Sequence, residues 1–262
     1  MTAHPSPGPR HVLVTGASRG IGRAVARAFA QQGDRVAVHV RSAVDEGEAT
    51  LVSLRGDGHA LVTADLGDVA QAGGLAARAE EALGGPVTVL VNNAGIATTP
   101  SLRHPPATTD PEQWRRSWEE YLRINTLGTA LLTQAMTSRL VDLGLPGRVV
   151  TIGTRGVHRG EPDFPAYAAS KAALHSMSAS LATALAPYDI ALATVAPGFI
   201  ETERVAERLG SEAGEAIRGD SPFGRVGRPE EVADAVLWLA SPLAQWASGA
   251  TLDLNGASHL RP

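Results

Sequence analysis

Short runs of apolar and β-branched residues recur along this chain, and between them the apolar positions repeat every three or four residues. The runs show little alternation with polar residues, which is typical of strands that are buried on both faces. Strands that alternate with helices indicate a parallel sheet covered by helices on both sides. We therefore predict an α/β fold with a doubly wound parallel sheet of about seven strands. The predicted strands are His11–Thr15, Arg35–Arg41, His59–Thr63, Val87–Val91, Arg148–Ile152, Ile190–Val195 and Ala250–Leu254.

The interior of the chain has no linker rich in Pro, Gly or Ser, so a single domain over residues 11–262 is predicted. With 44% hydrophobic and 19% charged residues, a chain of 262 residues can bury a large core. Residues 1–10 contain three prolines and no apolar run. We predict that they form a disordered tail and not a signal peptide.

Composition excludes several classes of function. The absence of cysteine rules out disulfides, thiol catalysis and thiolate metal sites, and the eight histidines show no ligand spacing, so we predict no metal. A net charge of −4 without a dense Lys/Arg run argues against nucleic acid as a partner. No apolar stretch reaches the roughly 20 residues that span a bilayer. We expect no membrane partner and a cytoplasmic protein.

A glycine-rich turn follows the first predicted strand and leads directly into a helix. It contains Gly16, Gly20 and Gly22 in the run Thr-Gly-Ala-Ser-Arg-Gly-Ile-Gly. Glycines allow a tight turn and close approach of the backbone to a pyrophosphate, while the helix N-terminus favours anionic oxygens. A glycine-rich turn alone is weak evidence, but the strand before it and the helix after it predict a dinucleotide-binding loop.

Tyr167 and Lys171 lie four residues apart in the run Pro-Ala-Tyr-Ala-Ala-Ser-Lys. On a helix this spacing puts both side chains on one face, so the ammonium group can favour the ionised phenol. Such a phenol can donate and accept a proton. The alternative is a lysine that merely extends past the ring to water on an amphipathic helix.

Together these motifs resemble the classical short-chain dehydrogenase/reductase family. The glycine spacing is TGxxxGxG, Asn92-Asn93-Ala94-Gly95 follows the fourth strand, and Pro197-Gly198 follows the sixth. The resemblance runs from about Val12 to Gly256 and is closest to 3-oxoacyl-acyl-carrier-protein reductases. It implies a Rossmann-type fold and an NADP-dependent oxidoreductase acting on CH–OH or C=O groups.

The resemblance implies four catalytic residues. Tyr167 would be the general acid or base, Lys171 would bind the nicotinamide ribose and lower the phenol pKa, and Asn125 would hold a water in the proton relay. An ordinary buried or surface amide is the alternative for Asn125. Thr154, thirteen residues before Tyr167, stands where the family has serine. It keeps a hydroxyl to polarise a carbonyl, but its methyl group narrows the pocket.

The end of the second strand indicates which dinucleotide is bound. An NAD-binding member would place an acidic residue there, whereas this chain has Arg41 and Ser42, and Arg19 lies in the glycine loop. These groups can hold a 2′-phosphate, so NADP is predicted; the alternative is that both arginines are solvated surface charges. The residues that the resemblance places around the cofactor are Gly16, Ser18, Arg19, Gly20, Ile21, Gly22, Arg41, Ser42, Asp65, Leu66, Asn93, Ala94, Gly95, Tyr167, Lys171, Pro197, Gly198, Ile200 and Thr202.

Three further residues near the motifs have a structural interpretation. Thr151 is predicted to lie inside its strand, and His175 to be a packing or interface residue. Arg155 is predicted to face solvent, with an acidic substrate or carrier as the alternative partner. For Asp65 the alternative is that it only caps a helix, as an aspartate after a strand often does.

The predicted activity is NADPH-dependent reduction of a 3-oxoacyl or similar ketone, or the reverse oxidation of an alcohol. The alternatives are an alcohol, polyol or cyclic-ketone dehydrogenase and, from a different class, a non-catalytic regulator that senses a dinucleotide. The segment Glu201–Gly224, with few large apolar residues, is predicted to be a mobile lid. The resemblance also implies a homotetramer or homodimer, and the partner is a small-molecule or acyl-thioester carbonyl substrate.

Overall fold

A computed structural model describes residues 8–210 and 213–261 of the protein. Seven parallel strands form one sheet in the order β3-β2-β1-β4-β5-β6-β7. The strands are β1 (His11–Val14), β2 (Arg35–Val40), β3 (Ala60–Thr63), β4 (Val89–Asn92), β5 (Gly147–Ile152), β6 (Ile190–Pro197) and β7 (Thr251–Leu254).

Helices connect the strands and cover both faces of the sheet. The α-helices of the described residues are α1 (Gly20–Gln31), α2 (Val44–Val52), α3 (Val69–Leu83), α4 (Pro111–Tyr121), α5 (Thr129–Leu143), α6 (Gly156–Arg159), α7 (Pro165–Leu185), α8 (Glu203–Leu209), α9 (Ala213–Gly219) and α10 (Pro229–Leu239). A π-helical segment, Leu122–Gly128, joins α4 to α5 without a break. Short 3₁₀ turns occur at Pro100–Leu102, Ala186–Tyr188 and Pro242–Ala247.

Two hydrophobic clusters fill the space between the sheet and its helices. On one face, Val25 and Phe29 of α1 pack with Val236 of α10 against the strands. On the other face, Leu75 of α3 and Leu132 of α5 pack against the opposite side of the same strands. Since neighbouring strand residues point to opposite faces, a strand with both faces covered is apolar at most of its positions.

The predicted fold is confirmed, and all seven strands lie within two residues of their predicted ends. The first described residues correct the predicted tail at one position. Arg10 donates from Nη2 to Asp34 Oδ2 at 2.6 Å and from Nη1 to the Ala240 carbonyl at 2.8 Å, so it is anchored to the domain. Residues 1–7 of the predicted tail lie outside the described residues.

The strand order reverses between β1 and β4, and this arrangement positions the site. In a doubly wound sheet, a ligand binds beyond the carboxyl ends of the strands where the order reverses. The segments that leave β1, β4, β5 and β6 there contain Gly16, Asn93, Thr154 and Gly198 respectively. Within the described part of the chain, no helix is long and apolar enough to cross a membrane.

The predicted lid segment forms two short helices, α8 and α9, between β6 and α10. Two of its positions, residues 211 and 212, lie outside the described residues. Before α8, an isolated bridge pairs Ile200 with Gly227. The lid is therefore tied to the domain at its base, and its mobility stays a prediction.

Candidate active site

The glycine-rich turn after β1 requires residues without side chains at specific points. Gly16 has a φ of 64°, and a Cβ atom there would lie 2.9 Å from Ala94 Cα. A Cβ atom at Gly22 would overlap the Gly16 carbonyl and lie 2.5 Å from Asn93 Nδ2. These contacts let helix α1 begin against the end of the sheet, as a dinucleotide-binding turn requires.

Asn93 and Thr15 link the turn to the segment after β4. Asn93 Nδ2 donates to the carbonyl oxygens of Thr15 and Gly16 at 2.8 and 3.0 Å. In return, Thr15 Oγ1 accepts from the backbone N–H groups of Asn93 and Ala94 at 2.9 and 3.0 Å. Four hydrogen bonds thus fix two adjacent strand ends to each other at the point where the strand order reverses.

The start of α1 carries a positive field, with one carboxylate nearby, since Glu203 Oε2 lies 3.7 Å from where a Cβ atom at Gly20 would stand. The N-cap residue, Arg19, makes no capping hydrogen bond with any described side chain, and the first turn of the helix has no acidic residue. Arg19 and Arg41 are both exposed, and neither forms an ion pair with another described residue. Free helix N–H groups and two cationic side chains fit the pyrophosphate and 2′-phosphate of a bound dinucleotide. Ser18 and Ser42 lie beside them in the chain.

The predicted adenine contacts lie after β3. Asp65 Oδ1 accepts from the Gly67 N–H at 2.8 Å, so its carboxylate shapes the turn that leads to α3. The helix itself is capped by Asp68, whose side chain accepts from Gln71 N. Leu66 is buried in the core. Both residues lie beyond the carboxyl end of β3, on the side of the sheet where the site is expected. Their contact with adenine stays a prediction.

Lys171 and Asn125 approach each other around Gly95. Lys171 is buried, and its Nζ donates to the Ile152 carbonyl at the end of β5 at 2.8 Å. A Cβ atom at Gly95 would lie 2.8 Å from Asn125 Oδ1 and 3.7 Å from Lys171 Nζ. Glycine at position 95 therefore leaves the space that lets both side chains meet the end of β4.

Asn125 lies in the π-helical segment, and its side chain is fully buried. Its Oδ1 accepts from the Ile96 N–H at 2.9 Å, while its Nδ2 donates to the Ile96 carbonyl at 3.2 Å and to Ser170 Oγ at 3.0 Å. The amide therefore joins the loop after β4 to helix α7, which contains Tyr167 and Lys171. π-Helical segments inside α-helices occur frequently at functional sites. The water-holding role of Asn125 stays a prediction.

Tyr167 lies in the first turn of α7 and is partly exposed. Its ring meets the ring of Tyr121 edge to face, with centroids 5.8 Å apart. Tyr121 is buried and donates its hydroxyl to the Ala97 carbonyl at 3.1 Å. Burial, with a smaller contribution from Tyr167, raises the pKa of Tyr121 far above its ordinary value, so Tyr121 stays neutral.

Thr154 lies two residues after β5 and is partly exposed. Its Oγ1 accepts from the Gly156 N–H at 3.1 Å, which leaves the hydroxyl proton available for a further acceptor. Thr151 lies within β5, is buried, and contacts Ser178 Oγ at 3.4 Å. This placement agrees with the structural role predicted for Thr151.

The prediction that Arg155 faces solvent is wrong. Its side chain is only 6% exposed, and Nη2 donates to Asp220 Oδ2 at 2.9 Å while Nη1 contacts Ser258 Oγ. The guanidinium carbon lies 4.9 Å from the centroid of the Phe199 ring. Asp220 directly follows α9 and Ser258 follows β7, so one arginine connects the loop after β5 to the lid and the C-terminal segment.

The segment after β6 returns to the glycine-rich turn. The Gly198 N–H donates to the Leu254 carbonyl at 3.0 Å, and Ile200 is buried. Beyond them, Thr202 Cγ2 would lie 3.1 Å from a Cβ atom at Gly20. The residues predicted around the nicotinamide therefore extend from the end of β6, at Pro197, to the start of α1.

His175 lies one turn after Lys171 and packs against Gly153, where even a Cβ atom would overlap its ring. Burial first, and then the charges of His158, Lys171 and Arg261, lower the pKa of His175 to about 4. The ring is therefore neutral at physiological pH. Its position agrees with the predicted packing role.

Two residues that support the glycine-rich turn were not among the site residues predicted from the sequence. His39 is buried in β2; its Nδ1 accepts from the Gly16 N–H at 3.2 Å, and its Nε2 donates to the Ala64 carbonyl at 3.0 Å. Arg23 donates to the Ser18 carbonyl and pairs with Glu203 at 3.2 Å. A histidine inside an apolar strand was the signal for the first, whereas Arg23 resembles any exposed helix arginine.

Among the described residues, no three His, Asp or Glu side chains are grouped to bind an ion. The prediction that the protein uses no metal therefore rests on the sequence alone.

Both the sequence and the fold of this chain match known proteins. The family model described as enoyl-(acyl carrier protein) reductase matches residues 16–259. The NADP-dependent (R)-specific alcohol dehydrogenase of Lentilactobacillus kefiri is 36% identical, over 93% of this chain and 94% of the relative. The L-rhamnose 1-dehydrogenase (NAD(P)(+)) of Azotobacter vinelandii is 37% identical, over 94% of both chains.

Two solved structures share the whole fold. A putative 2-deoxy-D-gluconate 3-dehydrogenase from Agrobacterium tumefaciens with bound NADP is 29% identical with a TM-score of 0.83, over 97% of both chains. A putative betaketoacyl-ACP reductase is 34% identical with a TM-score of 0.81, over 95% of this chain and 97% of the other. Together with the glycine-rich turn and the conjunction of Asn125, Tyr167 and Lys171, these matches identify the chain as an oxidoreductase that belongs to the short-chain dehydrogenase/reductase family.

Proposed function

We propose that the protein is an NADPH-dependent carbonyl reductase that also catalyses the reverse alcohol oxidation. The observation that carries the proposal is the meeting of Lys171 and Asn125 around Gly95, one helical turn from Tyr167. Buried lysine and amide groups beside an accessible phenol are suited to moving a proton. They lie at the strand ends where a dinucleotide would bring its reactive ring.

NADP is the proposed cofactor. The Lentilactobacillus relative is NADP-dependent by name, and the Agrobacterium structure contains NADP. In this chain Arg19, Arg41 and Ser42 would hold the 2′-phosphate, and the two residues directly after β2 are not acidic. When bound, the reduced cofactor supplies the hydride for the carbonyl carbon.

The side chains of the protein would supply the proton and orient the carbonyl. Tyr167 would give its phenolic proton to the carbonyl oxygen in reduction and take it back in oxidation. The ammonium group of Lys171, four residues along the same helix face, favours the ionised phenol. The hydroxyl of Thr154 would donate to the carbonyl oxygen and hold it in place, and Asn125 would keep the loop after β4 against the catalytic helix.

A 3-oxoacyl thioester or similar ketone is the proposed substrate class. The chain shares 34% identity with a putative betaketoacyl-ACP reductase, and its motifs resemble those of that subgroup. The named relatives that act on an alcohol or on L-rhamnose favour a second candidate, an alcohol or sugar dehydrogenase of the same chemistry. Arg155 is buried and paired with Asp220, so it is not available to bind an acidic substrate.

A panel of β-ketoacyl thioesters, cyclic ketones, simple alcohols and sugars tests the proposal, with the change in NADPH absorbance as the readout. Turnover of a ketone is expected to stop in Tyr167→Phe. Tyr188→Phe is the matched control, because Tyr188 is an exposed phenol outside the site. An undiminished rate in Tyr167→Phe would contradict the proposed proton donor, and an inactive wild type that still binds NADPH would favour the regulator.

The cofactor preference has its own test. Arg41→Asp would place a negative charge against the 2′-phosphate and is expected to shift the preference from NADPH towards NADH, as measured by kcat/KM for each cofactor. An unchanged ratio of these constants would show that Arg41 is only a surface charge.

We also propose a homotetramer or homodimer in the cytoplasm. Analytical ultracentrifugation decides the oligomeric state.

A further inference from the structure

His104 is a fully buried histidine in the loop between β4 and α4, and the reaction proposed above does not use it. Its Nε2 accepts from the Ala166 N–H at 3.0 Å, and its Nδ1 lies 2.6 Å from the Leu102 carbonyl. A backbone N–H can only donate, so Nε2 must be unprotonated. Nδ1 therefore carries the proton and donates it to Leu102.

The partner of His104 is a backbone group at the start of the catalytic helix. Helix α7 begins at Pro165, and its N-cap residue, Phe164, makes no capping hydrogen bond with a side chain among the described residues. The first N–H groups of a helix have no partner within the helix. His104, 62 residues away in the chain, supplies the missing acceptor for Ala166, the residue directly before Tyr167.

The imidazole is held rigidly in this position. Its ring centroid lies 5.7 Å from that of Trp114, 5.9 Å from Tyr121 and 6.2 Å from Phe164. The His104 N–H donates to the Asp163 carbonyl at 2.9 Å, and Arg103 pairs with the Asp163 carboxylate at 2.8 Å. The loop thus binds the chain before Phe164, at Asp163, and after it, at Ala166.

We propose that His104 is a positioning residue that fixes the first turn of α7 and thereby the phenol of Tyr167. The inference rests on the proposed role of Tyr167 as the proton donor. Without the acceptor, the Ala166 N–H is buried and unpaired, and the first turn of the helix relaxes. A small displacement of a reacting group is enough to slow a reaction strongly.

Three substitutions separate the acceptor from the other properties of the ring. In His104→Gln, the amide oxygen lies near the position of Nε2 and can still accept from Ala166. In His104→Asn, the shorter amide can replace only the Nδ1 donor to Leu102. His104→Phe keeps the ring and its aromatic contacts but removes both hydrogen bonds. His59→Phe is the matched control, because His59 Nδ1 accepts from the Val36 N–H at 3.1 Å far from the catalytic helix.

The expected result is a lower kcat with little change in the KM for NADPH. For His104→Asn and His104→Phe, kcat is expected to fall by about 10-fold or more while the KM for NADPH changes by less than about twofold. His104→Gln is expected to recover kcat to within about threefold of the wild type, because it keeps an acceptor for the Ala166 N–H. His59→Phe is expected to lower the melting temperature without changing kcat.

Hydrogen exchange of the peptide over residues 164–170 provides a readout that needs no turnover. Exchange at the start of α7 is expected to accelerate in His104→Asn and His104→Phe and to stay slow in His104→Gln. Equal kcat and equal exchange in all variants would overturn the proposal, as would a Gln variant as slow as the Phe variant.

The two proposals fail in different ways. If Tyr167→Phe is fully active, the proposed function fails, yet the exchange experiment still decides whether His104 fixes the helix. If Tyr167→Phe is inactive and every His104 variant reduces the ketone at the wild-type rate, only the inference about His104 fails. A Phe variant that does not fold leaves the Gln and Asn pair to decide.

Discussion

The ion pair between Arg155 and Asp220 offers a direct test of how the lid is attached. Arg155 is 6% exposed and Asp220 30% exposed, so the pair lies between a surface and a buried salt bridge. Loss of one partner costs up to about 1 kcal/mol at the surface and about 3–5 kcal/mol in the interior. Asparagine keeps the shape of the side chain and one acceptor. We therefore expect Asp220→Asn to lower the free energy of unfolding by about 1–2 kcal/mol.

The assay is thermal and urea unfolding at a fixed protein concentration. For a chain of this size, about 1 kcal/mol corresponds to about 2–4 °C, so the melting temperature should fall by about 2–8 °C. Arg159 also donates to Asp220 Oδ2 at 2.9 Å but is 46% exposed. Arg159→Gln is therefore the matched control, and it should change stability by less than about 0.5 kcal/mol.

The pH dependence of the stability difference between the wild type and Asp220→Asn provides a second check. Burial raises the pKa of Asp220, but hydrogen bonds from Arg155 and Arg159 outweigh this and lower it. A carboxyl group with a lowered pKa stabilises the fold above its ordinary pKa, and this contribution is lost as the pH falls through the lowered value. The wild type and Asp220→Asn should therefore converge below about pH 4. Equal stability of the two at pH 7, or an equal loss in Arg159→Gln, would refute the reasoning.

Substitutions at three further positions test the site. Thr154→Ser should preserve kcat/KM, whereas Thr154→Ala should cost about 2–4 kcal/mol of transition-state stabilisation; equal rates for Ala and wild type would remove Thr154 from the site. Gly22→Ala should weaken NADPH binding, measured by fluorescence titration, because its Cβ overlaps Gly16, while Gly73→Ala meets nothing within 4 Å and should leave binding unchanged. Burial lowers the pKa of His39 to about 4 from 6.5, so the unfolded chain takes up this proton first and stability should fall by up to about 3 kcal/mol between pH 6.5 and 4. His39→Asn should flatten that part of the curve of melting temperature against pH, and an unchanged slope would contradict the assignment.

The strands could be predicted because a doubly covered sheet favours apolar residues at most positions. Their ends depend on partners that the sequence does not reveal. Strand β6 continues to Pro197, beyond the predicted Val195, because Pro197 pairs with Leu254 of β7. The π-helical segment at Leu122–Gly128 was not predicted either, since one wider turn hardly changes the spacing of apolar positions.

The motif residues were predictable because backbone geometry restricts them locally. Gly16 must adopt a positive φ and Gly22 must leave room for a carbonyl, and both conditions appear as glycine in the sequence. Arg155 was misjudged for the opposite reason. Its partners, Asp220 and Ser258, follow 65 and 103 residues later, and nothing next to Arg155 in the chain indicates a buried charge.

Three histidines of this domain share a physical role that local patterns do not express. A neutral imidazole donates from one edge and accepts at the other, so it can join two backbone groups that neither a helix nor a sheet satisfies. His39, His59 and His104 each accept an N–H from a segment 23 to 62 residues away and contact a carbonyl with the other nitrogen. Because an unpaired buried N–H costs about 1–3 kcal/mol, such a ring stabilises the fold where strand and helix ends meet. Two of the three, His39 and His104, lie at the glycine-rich turn and at the start of α7, so buried histidines fix the backbone segments that carry the candidate site.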